Sequence, residues 1–381
     1  VAPLEPWEKV FVTRDAFLAT AHGEMACTYC HGGQQSSDME TAHTGLVADP
    51  SAGGSGNTCT ACHGDQSEHF EKSLHVSLSG YWDTLDARSA PENHQALETM
   101  FGNHCASCHT TCGDCHISQP GSVGGGFISG HVINKTPSMT RNCTACHGSR
   151  VGNEYLGKNE EIPGDVHFRQ GRMNCISCHS GAEMHNSEAA CSQCHDTSDA
   201  VYQVTNRYSG AQSPSCESCH ENIGKQGDQV VQHVLHGDKL ACQVCHSVSY
   251  MSCDGCHVAI SEKTGNPFFK TERSYMSFFI GRNPLQNYHR PYEYVVLRHI
   301  PISPTSYQYY GENLLPNFDA LPTWAYATPH NVQRKTPQNA SCNACHGNPD
   351  IFLTADKVSP EELQANEPVI VPEVPPAIGA P

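Results

Sequence analysis

No run of apolar residues in this 381-residue chain approaches the ~20 that a membrane-spanning helix requires, so no membrane span is expected. Positive charge is scarce as well. Lys and Arg number 22 against 39 Asp and Glu, a formal net charge of −17, which argues against nucleic acid as a partner and favours cationic partners or metal ions. Apolar residues reach only 38% with cysteine included and about a third without it, thin support for a polypeptide core of this size. Finally, no cysteine lies outside one repeated pattern, so no thiol is left to build a disulfide framework.

That pattern is Cys-x-x-Cys-His. The 22 cysteines fall without remainder into 11 copies. They are Cys27, Cys30 and His31; Cys59, Cys62 and His63; Cys105, Cys108 and His109; Cys112, Cys115 and His116; Cys143, Cys146 and His147; and Cys175, Cys178 and His179. The others are Cys191, Cys194 and His195; Cys216, Cys219 and His220; Cys242, Cys245 and His246; Cys253, Cys256 and His257; and Cys342, Cys345 and His346. A zinc ribbon uses Cys-x-x-Cys but has no need of the following His, and cysteines this close pair poorly with each other. The pattern does suit covalent haem: two thiols add across the two vinyl groups, and the adjacent imidazole ligates iron from one face. The expected cofactor is therefore haem c, 11 copies, covalently attached. Between His104 and His116 two motifs are separated by only Thr110 and Thr111, too close to be independent sites.

Three expectations follow. Haem attachment takes place outside the cytoplasm and Val1 opens no charged-then-apolar leader, so the chain reads as an exported mature form, extracellular or at the cell surface. With about 35 residues per cofactor, against the ~100–150 an ordinary domain spends on one core, the fold is expected to be mainly irregular, with short α-helices, little β, and closely packed haems as the core. Ionised propionates would carry the total charge to about −28.

Along the chain, residues 1–257 read as a ten-haem array. Residues 5–22 suggest a helix delivering His22, HFEKSLH a helix bearing His69 and His75, and PENHQALETMF a helix running into the double motif. GSVGGGFISGH at 121–131 is too glycine-rich for a regular element. Short helices and loops with little sheet are expected from Cys143 to His257. Residues 258–341 lack cysteine but hold 14 of the 29 aromatic residues. They read either as a conventional small core or as a wrap over haem edges, with a short strand in 292–302. Residues 342–358 carry the eleventh motif. The tail 359–381, with six prolines, is expected to build no core and to dock on a neighbouring subunit.

Outside the motifs stand 14 further histidines for 11 irons. A second protein ligand closes the iron to substrate and leaves an electron carrier, so these residues bear directly on function. The expected distal ligands are His22, His43, His75, His104, His131, His167, His185, His233, His236, His299 and His330, with His69, His94 and His289 as spares. The 8 methionines, scattered without pattern, are poor alternatives.

The stretches CTACHGSRVGNEYLGKNE with DVHF and CISCHSGAEMH, TTCGDCHISQP with GGGFISGH, and VVLRHIPI with PTWAYATPHNVQRKTPQNASCNACHG resemble stretches in large extracellular multihaem cytochromes of metal-reducing bacteria, up to about residue 350. The resemblance implies a continuous array of bis-histidine haems delivering electrons to extracellular acceptors, and it favours His131, His167, His185, His299 and His330 as distal ligands. A more distant resemblance is to octahaem tetrathionate reductases, hydroxylamine oxidoreductases and ammonia-forming nitrite reductases. The last usually carry Cys-x-x-Cys-Lys, which this chain lacks. The expected function is electron conduction without an active site, with head-to-tail self-association into a filament, redox partner cytochromes, and extracellular acceptors such as metal oxides. The alternatives are a monomeric cell-surface metal reductase or shuttle, and a nitrogen or sulfur oxyanion oxidoreductase.

Overall fold

The structure, a computed structural model, describes residues 5, 8, 12, 14–104, 110–159, 161–185, 215–276, 278–286, 291–300 and 302–379, with backbone alone at 14, 55, 122, 149–150, 251–259 and 269–276. It is mostly irregular, with short helices and little sheet. The longest described helices, His94–His104 and Ser79–Arg88, have 11 and 10 residues. No helix among the described residues is long and apolar enough to cross a membrane. The chain forms two compact units that interleave in sequence.

The first unit comprises Val1–Ser79, Cys105–Gly148 and Cys175–His195. Within 5–22 the helix Arg14–Leu18 is described, and His22 sits in a 3-10 turn, Ala21–Glu24. The HFEKSLH stretch breaks into two helices, Gly64–Glu71 and Leu74–Ser77. The glycine-rich stretch is irregular as expected. Gly124, Gly125, Gly126 and Gly130 adopt φ of +97°, +62°, +87° and +62°, a backbone other residues enter only with strain.

The second unit comprises Gly80–His104, Ser149–Asn174 and Asp196–Pro381. Its aromatic-rich segment supplies a conventional core. Strands β3 (Phe279–Arg282), β4 (Tyr294–His299) and β5 (Trp324–Tyr326) form an antiparallel sheet in the order β3-β4-β5. The run YVVLRH is buried through Val295, Val296, Leu297 and Arg298, which places β4 between two packed faces. The tail does contribute to a core, against that part of its expectation: Val369 and Val371 belong to the same hydrophobic cluster as Val295 and Leu297. After the helix Leu363–Asn366 the tail is bonded to the sheet, where Arg282 N–H donates to Val369 O and Val371 N–H to Leu353 O. Its prolines leave these donors intact.

A second departure is the hairpin of β1 (Tyr250–Ile260) and β2 (Pro267–Met276), which carries the tenth motif in a strand where loops and helices were expected. Val258 and Ile260 favour extended backbone, and Gly265 at φ +69° closes the turn. The motif interrupts the pairing with a register shift between Cys253 and Gly255.

Candidate functional site

The described motifs other than the tenth are single helical turns. Cys27–His31, Cys112–His116 and Cys242–His246 are α-helical. In five others the motif His N–H donates to the carbonyl of the first cysteine at 2.9–3.0 Å, from His63 to Cys59, His147 to Cys143, His179 to Cys175, His220 to Cys216 and His346 to Cys342. Residues three and four apart share a helix face, so this turn brings two thiols and one imidazole to the same side. Around Cys112, a capping box of Thr111 and Asp114 fixes the first turn, and Asn142 donates to Asp114 O and Ser118 O at 2.6 and 2.8 Å.

Against these imidazoles the fold sets others. Seven ring pairs occur among the described residues, each matching a motif histidine with one from outside the motifs. In the first unit they are His63 with His22 at 6.2 Å between centroids, His31 with His131 at 5.7 Å, His147 with His75 at 6.3 Å and His116 with His185 at 6.0 Å. In the second they are His220 with His167 at 6.0 Å, His246 with His233 at 6.2 Å and His346 with His236 at 6.1 Å. Two imidazoles on opposite sides of one metal, each bonded at about 2 Å, place their centroids about 6 Å apart. The angle between the rings runs from 10° to 88°, a spread that rotation about a shared axis permits and preferred ring stacking does not.

The hydrogen bonds point the same way. A metal-bound histidine donates its other ring nitrogen to an acceptor. Nδ1 lies against a backbone carbonyl in His31 (Val47, 2.9 Å), His116 (Asn134, 2.7 Å), His185 (Gly181, 2.6 Å), His236 (Gln232, 3.0 Å), His246 (Gln333, 2.9 Å) and His346 (Pro376, 3.2 Å). In His167, His179 and His233 the acceptor is a carboxylate, Asp165, Glu183 and Asp228, at 2.8, 3.0 and 3.0 Å. For those in the seven pairs, Nε2 is thereby turned to the opposed ring. Burial also pushes His75, His116 and His131 below the usual imidazole range, favouring the neutral form that binds metal.

Thiols of different motifs act on one another within each unit. The Cys59 thiol interacts with that of Cys112, Cys143 with Cys175, and Cys216 with Cys242. The partner thiol holds Cys112 and Cys143 down to about 7. Cys27, Cys62, Cys178, Cys219 and Cys342 are exposed, and the other described motif thiols are half-buried. Burial nonetheless pushes the thiols of Cys115 and Cys345 up to about 11.

Large apolar side chains flank the ring pairs: Val231, Val234 and Leu235 are 56%, 54% and 62% exposed on the helix Val231–His236 that presents His233 and His236. Two imidazoles are too few donors for a bare ion. They suffice where a porphyrin supplies four more, and the apolar flanks suit its flat face, so the residues fit covalent haem.

His43 and His330 have the same orientation, with Nδ1 against Met39 O at 2.6 Å and Thr328 O at 2.9 Å. His104 and His299 are placed otherwise. Nε2 of His104 lies 2.6 Å from the Tyr310 hydroxyl, and Nε2 of His299 lies 3.0 Å from Glu362 and rests against Trp324. His94 likewise turns Nε2 toward Asp86, at 3.7 Å. Two expected motifs, Cys105 with Cys108 and His109, and Cys191 with Cys194 and His195, lie outside the described residues. So do His289 and the side chains of Cys253, Cys256 and His257. Asp165, Glu183 and Asp228 were not singled out from sequence, although Glu183 stands one helical turn after His179 and was open to that reading. No protein family, no curated protein and no solved structure matches the chain.

Proposed function

We propose that this chain is an 11-haem c-type cytochrome that conducts electrons along bis-histidine haems, an exported carrier without an active site. Redox partner cytochromes and extracellular acceptors such as metal oxides are its partners, and identical chains associate head to tail. The seven opposed histidine pairs carry this reading. The complete use of cysteine in Cys-x-x-Cys-His and the resemblance to extracellular multihaem cytochromes support it.

When bound, haem supplies a one-electron ferric/ferrous couple. The chain supplies placement. Its helical turns hold two thiols and an imidazole together, the Nδ1 acceptors lock ring direction, and the opposed ring would serve as the second protein ligand. The thiol interactions Cys59–Cys112, Cys143–Cys175 and Cys216–Cys242 bring attachment points of different motifs near one another, which favours transfer over short steps.

The test is haem content with EPR of the oxidised protein. Eleven covalent haems per chain with low-spin signals throughout are expected. Absence of covalent haem overturns the proposal. A substantial high-spin fraction together with turnover of nitrite, hydroxylamine or tetrathionate replaces the carrier with an enzyme.

A further inference from the structure

Resting on that haem reading, the acceptors behind the ligands sort the sites into two kinds. Asp165, Glu183 and Asp228 accept from Nδ1 of His167, His179 and His233 at 2.8, 3.0 and 3.0 Å, whereas six other ligand imidazoles face backbone carbonyls. We propose that these three carboxylates are tuning residues that hold the haems ligated by His167, His179 and His233 at the low end of the chain's potential range.

The chemistry is that of the shared proton. A carboxylate accepts the Nδ1 proton more strongly than a neutral carbonyl does. The ring gains anionic character, donates more strongly through Nε2, and favours ferric over ferrous iron. No proton leaves the pair in the process, and each reduction takes one electron from the donor that loads the chain.

The surroundings show that two of the three contacts are built. Asp165 is 2% exposed, and besides the His167 ring it accepts from His167 N–H and Val332 N–H, both at 2.8 Å. The next residue, Gln333, offers its carbonyl to Nδ1 of His246 at 2.9 Å, so one loop orients ligands of two neighbouring sites. Asp228 is fixed likewise by Gly224 N–H at 2.8 Å and Val230 N–H at 2.9 Å. His246, opposite His233, therefore belongs to a site with a carboxylate behind one ligand and a carbonyl behind the other. Glu183 is the simplest, one helical turn from its histidine, with its own N–H on Ser180 Oγ at 3.0 Å.

Glu183→Gln is the decisive variant, because glutamine keeps an acceptor oxygen and loses only the charge. Spectroelectrochemical titration of the holoprotein is expected to show one haem's share of the absorbance change moving from the low end of the curve to higher potential, with the haem count still at eleven. Asp228→Asn and Asp165→Asn are expected to act in the same direction at their own sites. Asp83→Asn, which removes an exposed charge that is not among the ring acceptors named above, is the control for net charge and is expected to leave the curve in place. Eleven haems with a Glu183→Gln curve superimposable on the parent overturn the tuning role and leave the haem reading standing. A shift of equal size in the control overturns it too. A parent protein without covalent haem removes both.

Discussion

Of the expected distal ligands, His22, His75, His131, His167, His185, His233 and His236 face a motif ring, whereas His104 and His299 turn Nε2 to Tyr310 and Glu362. Counting histidines gives the size of the expected set, while a contact such as His299–Glu362, 63 residues apart in sequence, is not open to counting. The prediction is direct. His167→Ala in the holoprotein opens one site and adds a high-spin EPR signal of one iron per chain, while His299→Ala leaves the spin count unchanged. His131 offers a contrast. Its Nδ1 is buried without an acceptor, with Phe17 and Phe127 edge-on at 4.8 Å, so the site it shares with His31 belongs at the high end of the potential range. Replacing Phe127 by Asn, which brings an acceptor to that face, is expected to lower the potential of that site.

Among the elements, the motif turns were the most legible, since Cys-x-x-Cys-His is a helical spacing and the described turns follow it. The exposure of Cys62, Cys178 and Cys219 was not, because spacing places a thiol on a turn without saying what covers it. The strand β4 was legible too, from an unbroken run of β-branched and apolar residues. The tail was not. Six prolines suggest a segment unable to pack, yet after the short helix Leu363–Asn366 a turn closed by Val369 N–H and Ile370 N–H on Asn366 O brings Val369 and Val371 into the core at 0% and 2% exposure. Deleting residues 359–381 therefore removes part of the second unit's core. At ~1.5–3 kcal/mol for each buried valine, it is expected to lower stability to denaturant by several kcal/mol. The tail also orients a ligand, since Pro376 O faces Nδ1 of His346 and Pro375 O accepts from Gly347 N–H at 2.7 Å. Gly347 stands at φ +74°, and a Cβ there would meet Ala377 at 2.7 Å. Gly347→Ala is expected to loosen the tail from the eleventh motif, read as faster hydrogen exchange over 372–379 and a shifted spectrum for that one haem.

At the scale of the whole molecule, the proposed haem array and head-to-tail association both answer to charge. On that proposal, haems in one acidic chain feel each other's charge, and imidazole pairs lack the potential-raising Met, so the titration is expected to be broad and low. A single sharp transition at positive potential would contradict this. Like chains at −17, and more negative with propionates, repel. Screening shortens that repulsion from ~30 Å at 0.01 M salt to ~10 Å at 0.1 M. Head-to-tail assembly should therefore grow with ionic strength and with divalent cations, visible by electron microscopy as lengthening filaments. The tail's part in such a contact is best tested without deleting its core residues. Asn343 clamps the backbone of Ile378 from both sides, at 2.9 and 3.0 Å, while the Ile378 side chain is 48% exposed. Ile378→Glu is thus expected to leave haem content and denaturation unchanged while shortening filaments. Filaments of undiminished length in that variant would place the contact elsewhere on the chain, and compact monomers of the parent protein at every salt concentration would remove self-association altogether.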